Sequence, residues 1–157
     1  MQNSQQDVPQ APPIQSHLLI GFNSVTRHLE DLSAQSREPN KDGTTRSPHI
    51  AAVFLFRPMD DLIYSHLPIL CHTASLAHRD LPPTRLVLLD QSVEKDVVAA
   101  IAQARGVSLL ALLEDGTTTE SGKAVLEYVR EHVEPAEVPW LKQATEAQWL
   151  GTKVDVQ

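Results

Sequence analysis

The sequence predicts an α/β protein, a three-layer α/β/α sandwich around a central mixed sheet of about four strands. Two observations predict it. Short apolar runs of strand length recur four times, and the stretches between them repeat apolar residues every three to four positions. Such alternation buries a sheet between helices. With 157 residues, 41% of them hydrophobic, the chain is long enough for one domain with a real core.

The elements follow in order. Residues 1–15 are polar and rich in Gln and Pro, the composition of a disordered tail. His17–Gly21 is the first strand. The helix after it runs to Ser36 on a core stripe of Val25, Leu29 and Leu32, with Asn23 where an N-cap belongs. Residues 37–48 contain Pro, Asn, Gly, Thr and Ser without periodicity and form a loop insert. Ile50–Phe56 is almost continuously apolar, as a strand covered on both faces requires. Pro58 ends it. Asp60 and Asp61 suit the positive end of a long helix with the stripe Ile63, Leu67, Leu70, Ala74 and Ala77, bent at Pro68 by a lost hydrogen bond.

Pro82 and Pro83 precede a strand over Arg85–Leu89. Ser92 caps a further helix with Val97, Ile101 and Ala104 inward and Gly106 at its end. Val107–Leu113 is the last strand, and Glu114–Thr119 turns. Ser121–Glu131 is the last helix, with Val125 and Val129 inward. The domain therefore spans 16–133. The segment 134–157 holds Trp140 and Trp149 in a tail with no regular structure legible, the tryptophans serving as core cover or as anchors for a protein partner.

Composition narrows the function. Cys71 is the one cysteine, so no intrachain disulfide forms, and the N-terminus lacks the basic-then-apolar pattern of a secretory signal. No apolar run approaches the ~18 residues of a membrane span. A reducing, intracellular setting without membrane contact is expected. The net charge of −7 argues against a broad nucleic-acid coat. The acidity is uneven: residues 1–57 carry five basic and five acidic side chains, the remainder eight and fifteen. A nucleic-acid surface near the first helix would be small and local.

Catalytic and metal chemistry lack a residue set. There is no serine elbow, no phosphate-cradling glycine loop and no H-E-x-x-H. Asp60-Asp61 and Glu114-Asp115 are adjacent carboxylates that point in different directions. His66, Cys71, His72 and His78 match no common zinc spacing, and Cys71 reads as a small core residue. No cofactor is expected. The stretch Gly21-Phe22-Asn23-Ser24-Val25-Thr26-Arg27-His28 is different. It places free backbone N–H groups, an amide and a guanidinium one turn later at a single helix start, a site for phosphate and base edges.

Gly21-x-Asn23-x-Val25-Thr26-Arg27 resembles the G-x-N-E-V-T-K motif of the kink-turn-binding ribosomal-protein superfamily. His66-Leu67-Pro68-Ile69-Leu70-Cys71 resembles its H-L-P-L-L-C helix, and the resemblance covers residues 17–131. Within the superfamily the chain is most similar to the fungal branch that serves as a protein subunit of ribonuclease P and ribonuclease MRP, whose likeness extends to Val138-Pro139-Trp140-Leu141.

The resemblance implies a non-catalytic RNA-binding subunit that stabilises a bent element of the ribonuclease P/MRP RNA, for tRNA and rRNA precursor processing. It implies other ribonucleoprotein subunits as partners and a nuclear, nucleolar location. It implies RNA contacts by Gly21, Phe22, Asn23, Ser24, Arg27 and His28, and by the loop Arg105, Gly106, Val107 and Ser108. Two residues depart from the pattern. Ser24 stands for the family's glutamate, and Asp31 stands where a basic residue is frequent. Both predict weaker autonomous RNA binding. An alternative is a protein-interaction module that kept the fold and binds RNA weakly, through its acidic C-terminal half and tail.

Overall fold

The structure is a computed structural model, and it describes residues 13–37, 46–57, 59, 61–89 and 107–148. Strands β1 (Leu18–Ile20), β2 (Ile50–Leu55), β3 (Arg85–Leu88) and β4 (Leu109–Leu113) form one sheet in the order β1-β4-β2-β3. β4 pairs antiparallel with β1 (Leu18 opposite Leu112) and with β2 (Val53 opposite Ala111), and β2 pairs parallel with β3. The sheet is therefore mixed. The C-terminal ends of β1, β2 and β3 and the N-terminal end of β4 share one edge.

Helices α1 (Phe22–Arg37) and α2 (Leu67–Ser75) cover one face, and α3 (Glu120–His132) covers the other. Side-chain alternation along the strands decides which residue meets which layer. Leu19, Val53, Leu55, Leu109 and Ala111 pack with Val25, Leu29, Leu32, Leu67 and Cys71. Leu18, Ala52, Phe54, Val87 and Leu112 pack with Leu126, Val129 and Val133. This is the three-layer sandwich expected from the alternation. Cys71 is enclosed in the first layer, where burial pushes its thiol up to about 12 and keeps it protonated. Ser33 and Thr73 join α1 to α2 through a 2.8 Å hydroxyl contact. The Arg130 guanidinium donates to both Glu114 carboxylate oxygens at 2.7 and 2.6 Å, tying α3 to the end of β4.

Several expectations need correcting. Residues 13–15, expected in a disordered tail, join Ser16 and His17 in a 3-10 turn, because Ile14 packs against the α3 layer. The long helix expected from Asp61 is two pieces. A 3-10 turn over Leu62–Tyr64 is capped by Asp61, whose Oδ1 accepts from the Ile63 N–H at 3.4 Å, and α2 starts afresh at Leu67. Pro68 lies in the first turn of α2, where no intrahelical donor is needed, so it begins the helix rather than bending it. Ile63 is consequently exposed. In α3 the inward residues are Gly122, Leu126 and Val129, and Val125 is 42% exposed. Residues 139–146, expected to be irregular, form a fourth helix, α4 (Pro139–Glu146), again with proline at its start. The helix expected at 92–106, and Pro58, Asp60 and Trp149, lie outside the described residues.

The chain entering β2 is held by three histidines. His28 Nε2 meets the Pro48 carbonyl at 2.7 Å, His78 Nε2 the Ser47 carbonyl at 2.9 Å, and His49 Nε2 the Pro82 carbonyl at 2.9 Å. His49 is 3% exposed, and its Nδ1 is buried without a partner among the described residues. Burial holds its pKa below the usual value, so the folded state keeps it neutral. The unfolded chain takes up that proton near pH ~6.5, so stability is full above this pH and falls as pH drops toward the lowered folded pKa. Thermal melts should show this loss as pH falls below ~6.5. His49→Gln keeps a donor for Pro82 without the titration and should flatten the slope in that window. Equal slopes for both proteins would refute the assignment.

Candidate nucleic-acid interface

The site grows from one glycine. Gly21 follows β1 with φ +95°, in the left-handed region that favours glycine. Nothing lies within 4 Å of where a Cβ would stand, so the requirement is conformational rather than spatial. Its N–H donates to the Leu109 carbonyl at 2.8 Å, and its carbonyl accepts from the Val25 N–H at 3.1 Å, opening α1. Gly21 is thus the residue at the helix cap. Asn23, expected there, is the second residue inside the helix. The positive φ explains the difference: it turns the chain into helix before an asparagine side chain is needed.

The opening turn sorts its side chains sharply. Val25 and Thr26 point inward, and the Thr26 hydroxyl donates to the Phe22 carbonyl at 2.9 Å. Asn23, Ser24 and Arg27 are exposed. Asn23 and Arg27, one turn apart, flank the first backbone N–H groups, which have no intrahelical acceptors. Phe22 is half-buried, edge-on to Tyr64 (centroids 5.9 Å) and to His66 (6.0 Å). Through Phe22 the two motifs that lie far apart in sequence meet, and the starts of α1 and α2 become neighbours.

The other predicted residues reach the same edge along the sheet. The Ser108 carbonyl accepts from the Phe56 N–H at 3.1 Å, which sets Ser108 beside the end of β2. Ser108 is half-buried, whereas Val107 points inward and packs with Phe56 and Leu110. Val107 therefore positions the loop and presents no side chain to solvent. Arg105 and Gly106 lie outside the described residues. His28 stands off this group: it is half-buried on a flank of α1 and its Nε2 is engaged by Pro48.

Arg57, to which the sequence assigns no role, also reaches this edge. It is exposed immediately after β2, next to Phe56 and therefore at the same sheet edge as Gly21 and Ser108. The signal was a basic residue closing a buried strand. Its meaning depended on β2 running parallel to β1, which the sequence does not display. The edge thus carries Arg27 and Arg57, while Glu30 and Asp31 are exposed further along α1. Among the described residues no group of three or more His, Cys, Asp or Glu could hold a metal ion. The chemistry on offer is hydrogen-bond donation to anions from backbone N–H groups, an amide and guanidinium groups.

These features define a class: an α/β/α sandwich that presents a helix start and two arginines along one edge of a mixed sheet. The family model described as RNase P subunit Pop3 matches residues 2–143, and the chain belongs to that family of ribonuclease P protein subunits. Neither the curated proteins nor the solved structures contain a match.

Proposed function

We propose that this chain is a non-catalytic, RNA-binding subunit of ribonuclease P and ribonuclease MRP that stabilises a bent element of the RNA, in the manner of the kink-turn-binding superfamily. The observation that carries the proposal is the meeting of the two motifs at Phe22, Tyr64 and His66, which concentrates the exposed donors of Gly21–Arg27 at one edge. The backbone N–H groups of Phe22, Asn23 and Ser24 bind phosphate. Asn23 reads a base edge, and Arg27 pairs with a phosphate or a guanine. The loop Arg105–Ser108 covers an unstacked base, and His28 braces the flank. Arg57 adds a phosphate contact.

The net charge of −7 fits a local contact of this size better than a wrapped RNA. Ser24 and Asp31 weaken the isolated interaction, and neighbouring subunits supply the rest. The protein's part is to hold RNA shape during tRNA and rRNA precursor processing in the nucleus and nucleolus, while the RNA carries the catalytic metal ions. Photo-cross-linking of the assembled complex, followed by peptide mapping, tests this. RNA adducts are expected within 21–28, at 57 and within 105–108. Adducts confined to α3 and α4 would overturn it.

A further inference from the structure

The opposite layer carries a second exposed feature. On α3, Val125, Tyr128 and His132 follow one another at helical spacing along the face turned away from the sheet, which Leu126 and Val129 occupy. Tyr128 is 64% exposed. Its ring is stacked on that of His132, with centroids 4.1 Å apart and planes 20° apart. The His132 ring is not loose. Its Nδ1 lies 2.8 Å from the Tyr128 carbonyl and donates to it, which fixes the ring orientation and the tautomer. The result is a fixed face-to-face pair of rings at the C-terminal end of a helix, each ring covering one face of the other and leaving its outer face to a ligand.

The surroundings select what can lie on it. Glu127 and Glu131 are exposed beside Tyr128, and Glu134 and Glu137 follow on the next segment. Of the nearby cations, Arg130 is bound to Glu114 and Arg85 donates to the Pro83 carbonyl, while the exposed Lys123 makes only a long 3.9 Å contact with Glu127 that an incoming guanidinium can displace. The helix C-terminus adds partial negative charge at the same place. A nucleobase could stack on such rings, yet its phosphates would face carboxylates. A guanidinium meets a π-face and carboxylates together, and arginine stacks on aromatic rings better than lysine does.

We propose that the Tyr128–His132 platform docks an arginine from a basic segment of another protein, with Glu127 and Glu131 as its ion-pair partners. The site lies on the sheet face opposite α1, so protein docking and the edge at Gly21–Arg27 can be engaged at once.

The probe is an alternating glycine–arginine peptide, with the glycine–lysine peptide as its control, titrated into the full chain while the Tyr128 and His132 ring resonances are followed by NMR. The arginine peptide should shift both rings and bind about fivefold tighter than the lysine peptide. Tyr128→Ala should erase that preference. The exposed side chain carries no core packing, so the fold should persist in this variant. Glu127→Gln with Glu131→Gln should weaken both peptides. Equal affinity of the two peptides, or an unchanged preference in Tyr128→Ala, would overturn the proposal. So would an oligouridylate that shifts the same resonances at lower concentration than the arginine peptide, since the platform would then belong to RNA.

Discussion

Replacing Asn23 and Arg27 together by alanine should weaken binding to the cognate RNA stem by at least about tenfold at fixed salt, equivalent to about 1.4 kcal/mol or more. A charge-assisted hydrogen bond is worth about 1.5–3 kcal/mol, so loss of Arg27 alone could supply this. Asn23→Ala should also cost discrimination, since an amide reading a base edge contributes about 1–3 kcal/mol against the wrong base. The two losses are separable by salt. Removing a phosphate contact should lower the slope of log affinity against log salt by about one, whereas removing a base contact should leave it unchanged. Folding should be unaffected. Both side chains are exposed, and Asn23 lies inside the helix rather than at its cap, so alanine there removes no capping bond. Unchanged RNA affinity by gel shift, with an unchanged melting curve, would remove this edge from the RNA interface.

Gly122→Ala should destabilise the protein by about 3 kcal/mol, against the direction that helix propensity alone gives. Gly122 is the third residue of α3, and alanine is ordinarily better in a helix by about 1 kcal/mol. Here a Cβ would run into the Gly116 carbonyl oxygen, and the Thr119 Oγ1 would be only 2.7 Å away. The obstacle is backbone, which cannot rotate aside as a side chain can. Thr119 is moreover the cap of α3, accepting from the Gly122 N–H at 3.1 Å while its own hydroxyl donates to the Gly116 carbonyl at 2.9 Å. Relieving the clash would break that linkage as well, at a further cost of about 1 kcal/mol. Chemical denaturation should show a lower midpoint with an unchanged slope. A neutral or stabilising result would mean that the turn at 116–119 yields freely.

The fold was legible because its strands announce themselves. Ile50–Leu55 and Leu109–Leu113 are buried on both faces and read as apolar runs regardless of their partners. The helix faces were less secure. Val125 and Leu126 are adjacent and both apolar, and only packing on the sheet selects Leu126 for the core. Prolines misled twice for one reason. Pro68 and Pro139 both stand in a helix's first turn, where the residue is compatible with helix, and neither position is distinguishable by composition from a break. At the site, the spacing of Asn23 and Arg27 was readable, because it follows from helical period. The capping role of Gly21 was not, because it arises from a positive φ held by a bond to Leu109. Arg57 stayed hidden for the same kind of reason: its place depends on sheet order, which is a property of long-range pairing.

The last described strand, β4, sits in the interior of the sheet, between the first and the second. Among the described residues β1 has no strand partner other than β4, and the N–H of Gly21 is anchored on Leu109. During synthesis the segment that opens α1 emerges early, yet its docking groove does not exist until residues 109–113 have left the ribosome. A truncated or half-made chain therefore has the motif but not the edge. The order of strands thus ties the geometry at the start of α1 to a segment far downstream of it in the sequence.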